Sequence, residues 1–370
     1  MIDDRISKMA KLLVQYCVGI QPGDRVGLMA YTEASPLVLE LQREIVKAGG
    51  HHYTNLTIPG SSYIFYSEAS DEQLAHIPET TQLYYSEFEA LIAIDSVSNT
   101  RELNSIDPER QAIRAKAFAP LMTRYMERTA AEEFKWVRTV YPTSALAQDA
   151  EMSLVEYKDF IYSAMYLEDD DPIQSWRSQH EWQQKLVDWL HDKKELVVEG
   201  PDVDLRLSID GRRFINSSGK LNLPDGEIFT SPIEDSVNGW IRFAYPAIDS
   251  GREISGVELK IVDGKVVDAS AQKNEQFLKS TLSVDEGASI IGEFAVGMNK
   301  NIDRHTKNIL FDEKLGGTIH LALGAGFPEV GGRNVSGVHL DMICDMSDGG
   351  RITVDGELFY DSGEFLVLEE

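Results

Sequence analysis

The chain has 370 residues, a length that predicts two domains, each large enough to bury its own hydrophobic core. With 42% apolar and 26% charged residues it has the composition of a folded globular protein, which argues against disorder. A formal charge of −26 at pH 7 repels phosphates and anionic lipid headgroups, so neither nucleic acid nor a membrane is an expected partner. The same charge attracts cations, although a plain solubilising surface is its commoner meaning.

The N-terminal half alternates between helical and strand-like segments. Apolar spacing predicts helices over residues 3–18 and 35–48. The predicted strands are RVGLMA, HHYTNLTI, ALIAID and KWVRTVYP. This alternation predicts an α/β domain with a mostly parallel sheet. The chain also shows no signal-peptide pattern and no apolar run of about 18 residues, so a cytoplasmic protein is expected.

The pattern changes after a helix-rich stretch over residues 153–196. That stretch contains the acidic run Glu168 to Asp171, which we interpret as a solvated loop because four adjacent carboxylates repel one another. A boundary near residues 198–201 divides the chain into an N-terminal domain, residues 1–198, and a C-terminal domain, residues 199–370. Short alternating strands with glycine turns, such as the hairpin at Asp263 and Gly264, predict a largely antiparallel, β-rich α+β fold for the second domain.

Several common functional motifs are missing from the sequence. No GxGxxG turn follows the first strand, and neither a phosphate-binding GxxxxGK[ST] loop nor the GxSxG motif of serine hydrolases occurs. HEWQQ resembles the start of a zinc-binding HExxH helix, but Gln184 stands where the second histidine is needed. Cys17 and Cys344 lack metal-type spacing, and Cys344 fits a core strand position. Five other histidines have no partner at ligand spacing and are interpreted as surface or hydrogen-bonded residues: His51, His52, His76, His191 and His305.

The segment GVHLDMI suggests a pair of metal ligands. His339 and Asp341 are two positions apart, so on a strand they point to one face while Val338, Leu340 and Met342 point to the other. A buried, hydrogen-bonded His–Asp pair would give the same pattern.

Three further residues extend the candidate site. His320 lies in the apolar run TIHLALG, and Glu293 lies in SIIGEFAVG, where an ionised carboxylate needs a cation or a hydrogen-bond donor. Glu227 follows the tight PDG turn of NLPDGEIFTSP. Three carboxylates and two imidazoles form a plausible site for two divalent ions.

The segments GEIFTSP, IGEFAVG, TIHLALG and NVSGVHLD, in this order, resemble the M29 family of metallo-aminopeptidases, the group of aminopeptidases T and S. The resemblance implies that the metal ligands are Glu227, Glu293, His320, His339 and Asp341. It also implies two divalent ions per subunit, an activated water, peptide substrates with a free N-terminus, and a homodimer. Oxygen-rich ligation with two imidazoles is compatible with Zn²⁺, Co²⁺ or Mn²⁺, and the ligand types alone do not choose among them.

One residue departs from the family pattern. The family continues from the histidine as HxALGxxY, with a tyrosine thought to assist at the substrate carbonyl, whereas HLALGAGF places Phe327 there. Losing such a donor typically lowers the rate about 10²–10³-fold, so modest activity or altered specificity is expected.

The sequence leaves several roles open. Glu293 is either a general base in addition to a ligand or purely a bridging ligand. Glu234, Asp235 and Glu253 are candidates for binding the substrate's α-ammonium group through their proximity in sequence alone. Two other functions are consistent with the same ligands: a metal-dependent dipeptidase or amidohydrolase, and a non-catalytic protein that binds metal only for stability.

Overall fold

The computed structural model describes residues 3–249 and 251–367. The helices are α1 (Asp4–Lys11), α2 (Ser35–Lys47), α3 (Ser61–Glu68), α4 (Asp71–Ala75), α5 (Glu79–Ser86), α6 (Pro108–Ala130), α7 (Ser144–Asp149), α8 (Leu154–Ala164), α9 (Pro172–Leu190), α10 (Glu275–Thr281) and α11 (Ile309–Asp312).

The strands are β1 (Arg25–Tyr31), β2 (His51–Thr57), β3 (Ala90–Asp95), β4 (Lys135–Val140), β5 (Glu195–Gly200), β6 (Val203–Ser208), β7 (Ile215–Ser217), β8 (Asn222–Leu223), β9 (Glu227–Thr230), β10 (Asn238–Arg242), β11 (Ala247–Asp249), β12 (Arg252–Ile254), β13 (Glu258–Val262), β14 (Lys265–Ser270), β15 (Ile291–Gly297), β16 (Thr318–Gly324), β17 (His339–Asp345), β18 (Arg351–Val354), β19 (Glu357–Asp361) and β20 (Glu364–Phe365).

The chain divides into two compact units. The first contains residues 1–173 and 219–224, and the second contains residues 174–218 and 225–370. The first long segment ends at Ile173, so only the first two residues of α9 belong to the first unit and the rest of this helix belongs to the second. The sequence prediction placed the boundary later, near residue 198, which lies inside β5. The short return of residues 219–224 to the first unit carries β8, a strand too short for its alternation to be recognised in the sequence.

The first unit is built on a parallel sheet with the strand order β2-β1-β3-β4-β8. Each neighbouring pair in this sheet runs parallel, as the alternation of helices and strands predicts. The central strands β1 and β3 are largely buried, and β3 coincides with the predicted segment ALIAID. The predicted acidic loop is confirmed, because Glu168 to Asp171 lie exposed between α8 and α9.

The second unit contains antiparallel sheets, as predicted. An eight-stranded sheet has the order β14-β13-β10-β6-β5-β18-β19-β20, and a five-stranded sheet has the order β17-β16-β15-β9-β7. We call the five-stranded sheet the site sheet. Asp263 and Gly264 form the predicted hairpin turn between β13 and β14, both at positive φ (49° and 74°), the conformation required by a tight two-residue turn. Within the described residues, no helix is both long and apolar enough to cross a bilayer.

Candidate metal centre

The five predicted ligands lie on four strands of the site sheet. His339 and Asp341 are on β17, His320 on β16, Glu293 on β15, and Glu227 begins β9. In the antiparallel register Asp341 lies opposite Ala322, which lies opposite Glu293. Directly opposed residues share one face of a sheet, so strand pairing brings these side chains together from positions far apart in the sequence.

The two faces of the site sheet have opposite character. On the ligand face, small residues lie between the ligands: Ala295 pairs with His320, and Ala322 pairs with Asp341. The small alanine side chains leave room above the backbone. The other face belongs to the hydrophobic core of the second unit. Its buried side chains are Ile228, Phe294, Val296, Ile319, Leu321, Leu323, Leu340, Met342 and Cys344. The predicted alternation in GVHLDMI and the predicted core position of Cys344 are therefore confirmed.

A glycine positions the start of β9. Gly226 has a φ of +119°, and a Cβ atom there would lie 2.9 Å from the Cβ of Asn299. Both the backbone conformation and the close approach exclude larger residues at this position. The Nδ2 group of Asn299 donates to the carbonyl oxygen of Asp225 at 2.8 Å. The backbone at Glu227, the first residue of β9, is therefore fixed, as predicted from the PDG turn.

The predicted ligands form a continuous cluster of acidic and imidazole groups. His339 Nε2 lies 3.2 Å from Glu293 Oε2 and 3.4 Å from Asp341 Oδ1. His320 Nε2 lies 3.7 Å from Glu293 Oε1 and 3.5 Å from Glu227 Oε2. Glu227, Glu293 and His320 are each at most 5% exposed, so the inner part of the cluster is shielded from water.

Among the residues that the structure describes, two sets of three have the geometry to hold a metal ion. One set is Glu293, His339 and Asp341, and the other is Glu313, His320 and Asp341, with the ligand atoms of each set within 4.8 Å of one another. Asp341 belongs to both sets. Glu227 belongs to neither set. Its Oε2 atom lies 3.5 Å from His320 Nε2, and its Oε1 atom accepts a hydrogen bond from Lys314 at 2.5 Å.

Glu313 and Lys314 were missed by the sequence prediction. They lie in ILFDEKLGG, between the end of α11 and the start of β16, and the backbone there is irregular. The segment did contain a signal, because the three charged residues between Phe311 and Leu315 raise the same desolvation problem that identified Glu293. No strand periodicity indicates that Glu313 faces the cluster.

His339 is oriented by a hydrogen bond on the far side of its ring. Its Nδ1 atom lies 3.1 Å from the carbonyl oxygen of Ala325. A carbonyl only accepts, so Nδ1 carries the donated proton and Nε2 faces Glu293 and Asp341. Metal-ligating histidines commonly donate their second N–H to a carbonyl or carboxylate in this way.

The mutual proximity of these groups shifts their pKa values strongly. Burial opposes the imidazolium form, but Glu293 and Glu227 outweigh it and raise the pKa of His320 to about 9. Asp341 and Glu293 likewise outweigh burial and raise the pKa of His339 to about 11. Burial favours the neutral form of Glu293 too, yet the two histidines lower its pKa to about 2. For Glu227 burial dominates over the pull of Lys314 and raises the pKa to about 8.

The residues present fit divalent ions. Glu227 Oε2, His320 Nδ1 and Asp341 Oδ1 are buried without a hydrogen-bond partner, which is costly unless a cation or a water satisfies them. A mixture of carboxylate and imidazole ligands suits Zn²⁺, Co²⁺ and Mn²⁺ alike.

Phe327 lies beside the cluster. Its ring meets that of His339 edge-on with a centroid separation of 5.1 Å, and it contacts Phe229 at the same separation. Its backbone N–H donates to Ser231 Oγ at 2.9 Å. The position at which the family pattern has a tyrosine is thus next to a ligand, but its side chain has no hydroxyl to donate.

Two candidates for binding a substrate's α-ammonium group are engaged elsewhere. Glu234 forms an ion pair with Arg212 at 2.7 Å and accepts from the backbone N–H of Arg333. Glu253 forms an ion pair with Lys273 at 2.9 Å. Both carboxylates have partners in the structure, and a role in binding the substrate's ammonium group stays a prediction. His305, interpreted as satisfied, lies 3.0 Å from Asp312.

Comparison with known proteins identifies relatives along almost the whole chain. A family model described as thermophilic metalloprotease (M29) matches residues 2–365. Aminopeptidase 2 of Geobacillus stearothermophilus is 30% identical over 394 residues, covering 96% of this chain and 94% of the relative. Aminopeptidase T of Thermus aquaticus is 25% identical and covers 96% of this chain and 95% of its own length.

Two solved structures share the fold. Wild-type AmpT from Thermus thermophilus superposes with a TM-score of 0.86 at 22% identity, covering 99% of this chain and 100% of the other. A 2,5-dihydroxypyridine dioxygenase from Pseudomonas putida superposes with a TM-score of 0.56 at 12% identity, covering 98% and 97%. At these identities the superpositions show the fold alone, and the match to the family model shows the family. This chain belongs to the M29 family of thermophilic metalloproteases, which are hydrolases.

Proposed function

We propose that this protein is an aminopeptidase that hydrolyses the N-terminal peptide bond of peptides with a free N-terminus, using two divalent ions. The observation that carries the proposal is the pair of ligand sets, Glu293–His339–Asp341 and Glu313–His320–Asp341, which share one carboxylate on one face of the site sheet. The names of the relatives, aminopeptidases 2 and T, support the reaction.

The proposed ligands are the five predicted residues together with Glu313. Divalent ions bound by these residues would polarise the scissile carbonyl and lower the pKa of a water toward neutrality. The chain's own contribution is to hold the ligands before substrate arrives. The sheet register positions Glu293 and Asp341, and the Ala325 carbonyl orients the His339 ring.

Glu293 is proposed to carry a proton as well as to bind metal. Its two oxygens face two different histidines, His320 through Oε1 and His339 through Oε2. The two histidines lower its pKa to about 2 when they are protonated, so the proton role requires that bound metal has displaced their protons. The carboxylate could then accept a proton from the attacking water and deliver it to the departing amine. The competing role is that of a pure ligand. A Glu293→Gln variant that binds both ions but has lost turnover supports the first role, whereas parallel loss of both supports the second.

Phe327 limits the means of stabilising the developing oxyanion. A phenyl ring donates no hydrogen bond, so this stabilisation has to come from the bound ions or from another donor. The proposal therefore includes a lower turnover than relatives with tyrosine at this position.

The test is a metal-dependence assay on the full chain. The protein is stripped with a chelator and assayed on unblocked and N-acetylated aminoacyl anilides, on dipeptides and on simple amides, before and after addition of Zn²⁺, Co²⁺ or Mn²⁺. Activity that vanishes, returns with metal and requires a free amine supports the aminopeptidase. Cleavage of N-blocked amides indicates an amidohydrolase instead, and cleavage restricted to dipeptides indicates a dipeptidase. Binding of metal without cleavage of any substrate indicates the non-catalytic alternative.

A homodimer and a cytoplasmic location, expected from the sequence, belong to the same proposal. Sedimentation velocity at several protein concentrations tests the first, and fractionation of the source cells tests the second. A monomer at all concentrations contradicts the dimer without affecting the reaction.

A further inference from the structure

Lys314 is a buried cation inside the ligand cluster. Its side chain is only 1% exposed, and its Nζ atom donates to Glu227 Oε1 at 2.5 Å and to Glu313 Oε1. Asp225 Oδ1 lies 3.9 Å away. Burial of an ammonium group costs several kcal/mol unless it is well paired, and lysines are almost never fully buried without partners. The three carboxylates provide that pairing.

The backbone around Lys314 is fixed by contacts within the second unit. The backbone N–H of Asn299 donates to the carbonyl oxygen of Lys314 at 3.1 Å. Two residues earlier, Asp312 Oδ1 accepts from the backbone N–H of Thr306 at 2.6 Å and from its hydroxyl at 2.8 Å. Asp312 Oδ2 lies 3.0 Å from His305 Nε2. These contacts fix the backbone from which the Lys314 side chain extends.

The contacts of Lys314 select one oxygen from each of two carboxylates. It binds Oε1 of Glu227 and Oε1 of Glu313. The other oxygen of Glu227 lies 3.5 Å from His320 Nε2 and has no hydrogen-bond partner. Lys314 thus holds Glu227 with its second oxygen directed toward His320, and it restrains Glu313, a member of the set that contains His320.

The other ligand set has no such contact. Among the described residues, Lys314 forms no ion pair with Glu293, His339 or Asp341. The charges also balance around the cluster. Asp225, Glu227, Glu293, Glu313 and Asp341 supply five negative charges when ionised, and Lys314 with two divalent ions supplies five positive ones.

We propose that Lys314 is a positioning residue for the ion held by Glu313, His320 and Asp341. Its ammonium group holds one oxygen each of Glu227 and Glu313, so that their remaining oxygens are available to that ion. The inference rests on the proposed two-metal function. Among the described residues, Lys314 forms no ion pair with a member of the Glu293–His339–Asp341 set, so its removal affects the two ions unequally.

The test is a metal titration of Lys314→Met in the full chain. Wild type and variant are stripped with a chelator and titrated with Mn²⁺, with the free ion measured by electron paramagnetic resonance and the bound ion by elemental analysis. The variant is expected to retain one ion with affinity close to that of wild type and to bind the second about 10–100-fold more weakly, the usual consequence of losing a residue that supports a ligand.

Two outcomes overturn the proposal: both ions bind the variant with wild-type affinity, or both are weakened equally. The second indicates a general structural role. Lys273→Met removes an exposed lysine paired with Glu253 and serves as the matched control, with both ions expected at wild-type affinity. If circular dichroism shows that Lys314→Met is unfolded, Lys314→Gln, which keeps an amide donor, is judged by the same criterion. If wild type binds fewer than two ions, the two-metal function fails, independently of Lys314.

Discussion

The two faces of the site sheet show how one set of strands serves two purposes. On β17 the odd-numbered residues His339 and Asp341 point to the cluster, while Leu340 and Met342 are buried in the core. Along each strand, residues that face the cluster therefore alternate with residues that pack in the core, with a period of two. Because each ligand on a strand has a core residue next to it in the sequence, its backbone is held by hydrophobic packing that does not depend on metal.

The two faces also differ in electrostatics. The core face has no charge to satisfy, whereas the ligand face gathers carboxylates and imidazoles within 4 Å of one another. Such a cluster is costly without a cation, and its shifted pKa values are characteristic of functional sites. Substitutions on adjacent positions of one strand should consequently separate activity from stability.

Substitution of His339 is expected to have the largest effect on function. His339→Ala removes a ligand from the Glu293–His339–Asp341 set, so metal-dependent peptidase activity should be lost while the far-ultraviolet circular dichroism spectrum stays unchanged. Its unfolding free energy should change much less than that of a core variant, because the side chain is one-third exposed. The matched control is His191→Ala, at an exposed histidine paired with Asp192. Full activity of His339→Ala would contradict the site assignment.

Substitution of the next residue should reverse this pattern. Leu340→Ala creates a cavity in the core face and is expected to lower the unfolding free energy by about 2–5 kcal/mol, measured by urea denaturation. At temperatures where the variant remains folded, both Mn²⁺ ions should still bind, because Leu340 contributes no ligand atom. Loss of metal binding in the folded variant would show that the two faces are not independent.

Restoring a hydroxyl beside the cluster tests the departure from the family pattern. Phe327→Tyr adds one donor next to His339, and a correctly placed donor is worth about 10²–10³-fold in rate. The variant is expected to raise kcat toward the lower end of that range with little change in KM, since the donor acts on charge that develops in the transition state. An unchanged or lowered kcat would mean that the ring does not face the scissile carbonyl.

The last prediction concerns the pH dependence of metal affinity. In the metal-free protein the pKa values of His320 and His339 are raised to about 9 and about 11, so both are imidazolium at pH 7. Metal has to displace these protons, so Mn²⁺ affinity should rise from pH 6 to pH 8, by about tenfold per unit for each proton displaced. Calorimetry in two buffers of different ionisation enthalpy counts the released protons. No proton release in this range would contradict the imidazolium state.

Most of the strands were predictable because their signals are local. ALIAID and TIHLALG coincide with β3 and β16, and the alternation in GVHLDMI assigned each side chain of β17 to the correct face. The structure brings Glu293, His320, His339 and Asp341 together as the prediction required, and it adds Glu313. The position of the boundary between the two units was not predictable, because no local pattern in the sequence of α9 shows to which unit the helix belongs.

By itself, the sequence identified the candidate ligands that lie on strands, and for His339 and Asp341 it determined the face of the strand, since these depend on residue type and a period of two. Only the tertiary structure decided which candidate ligands lie close enough to share an ion and how each is held. Glu313 and Lys314 come from an irregular turn, and the Ala325 carbonyl that orients His339 is an ordinary backbone group. Such contacts arise from strand register and chain reversals, which bring together residues that no local pattern relates.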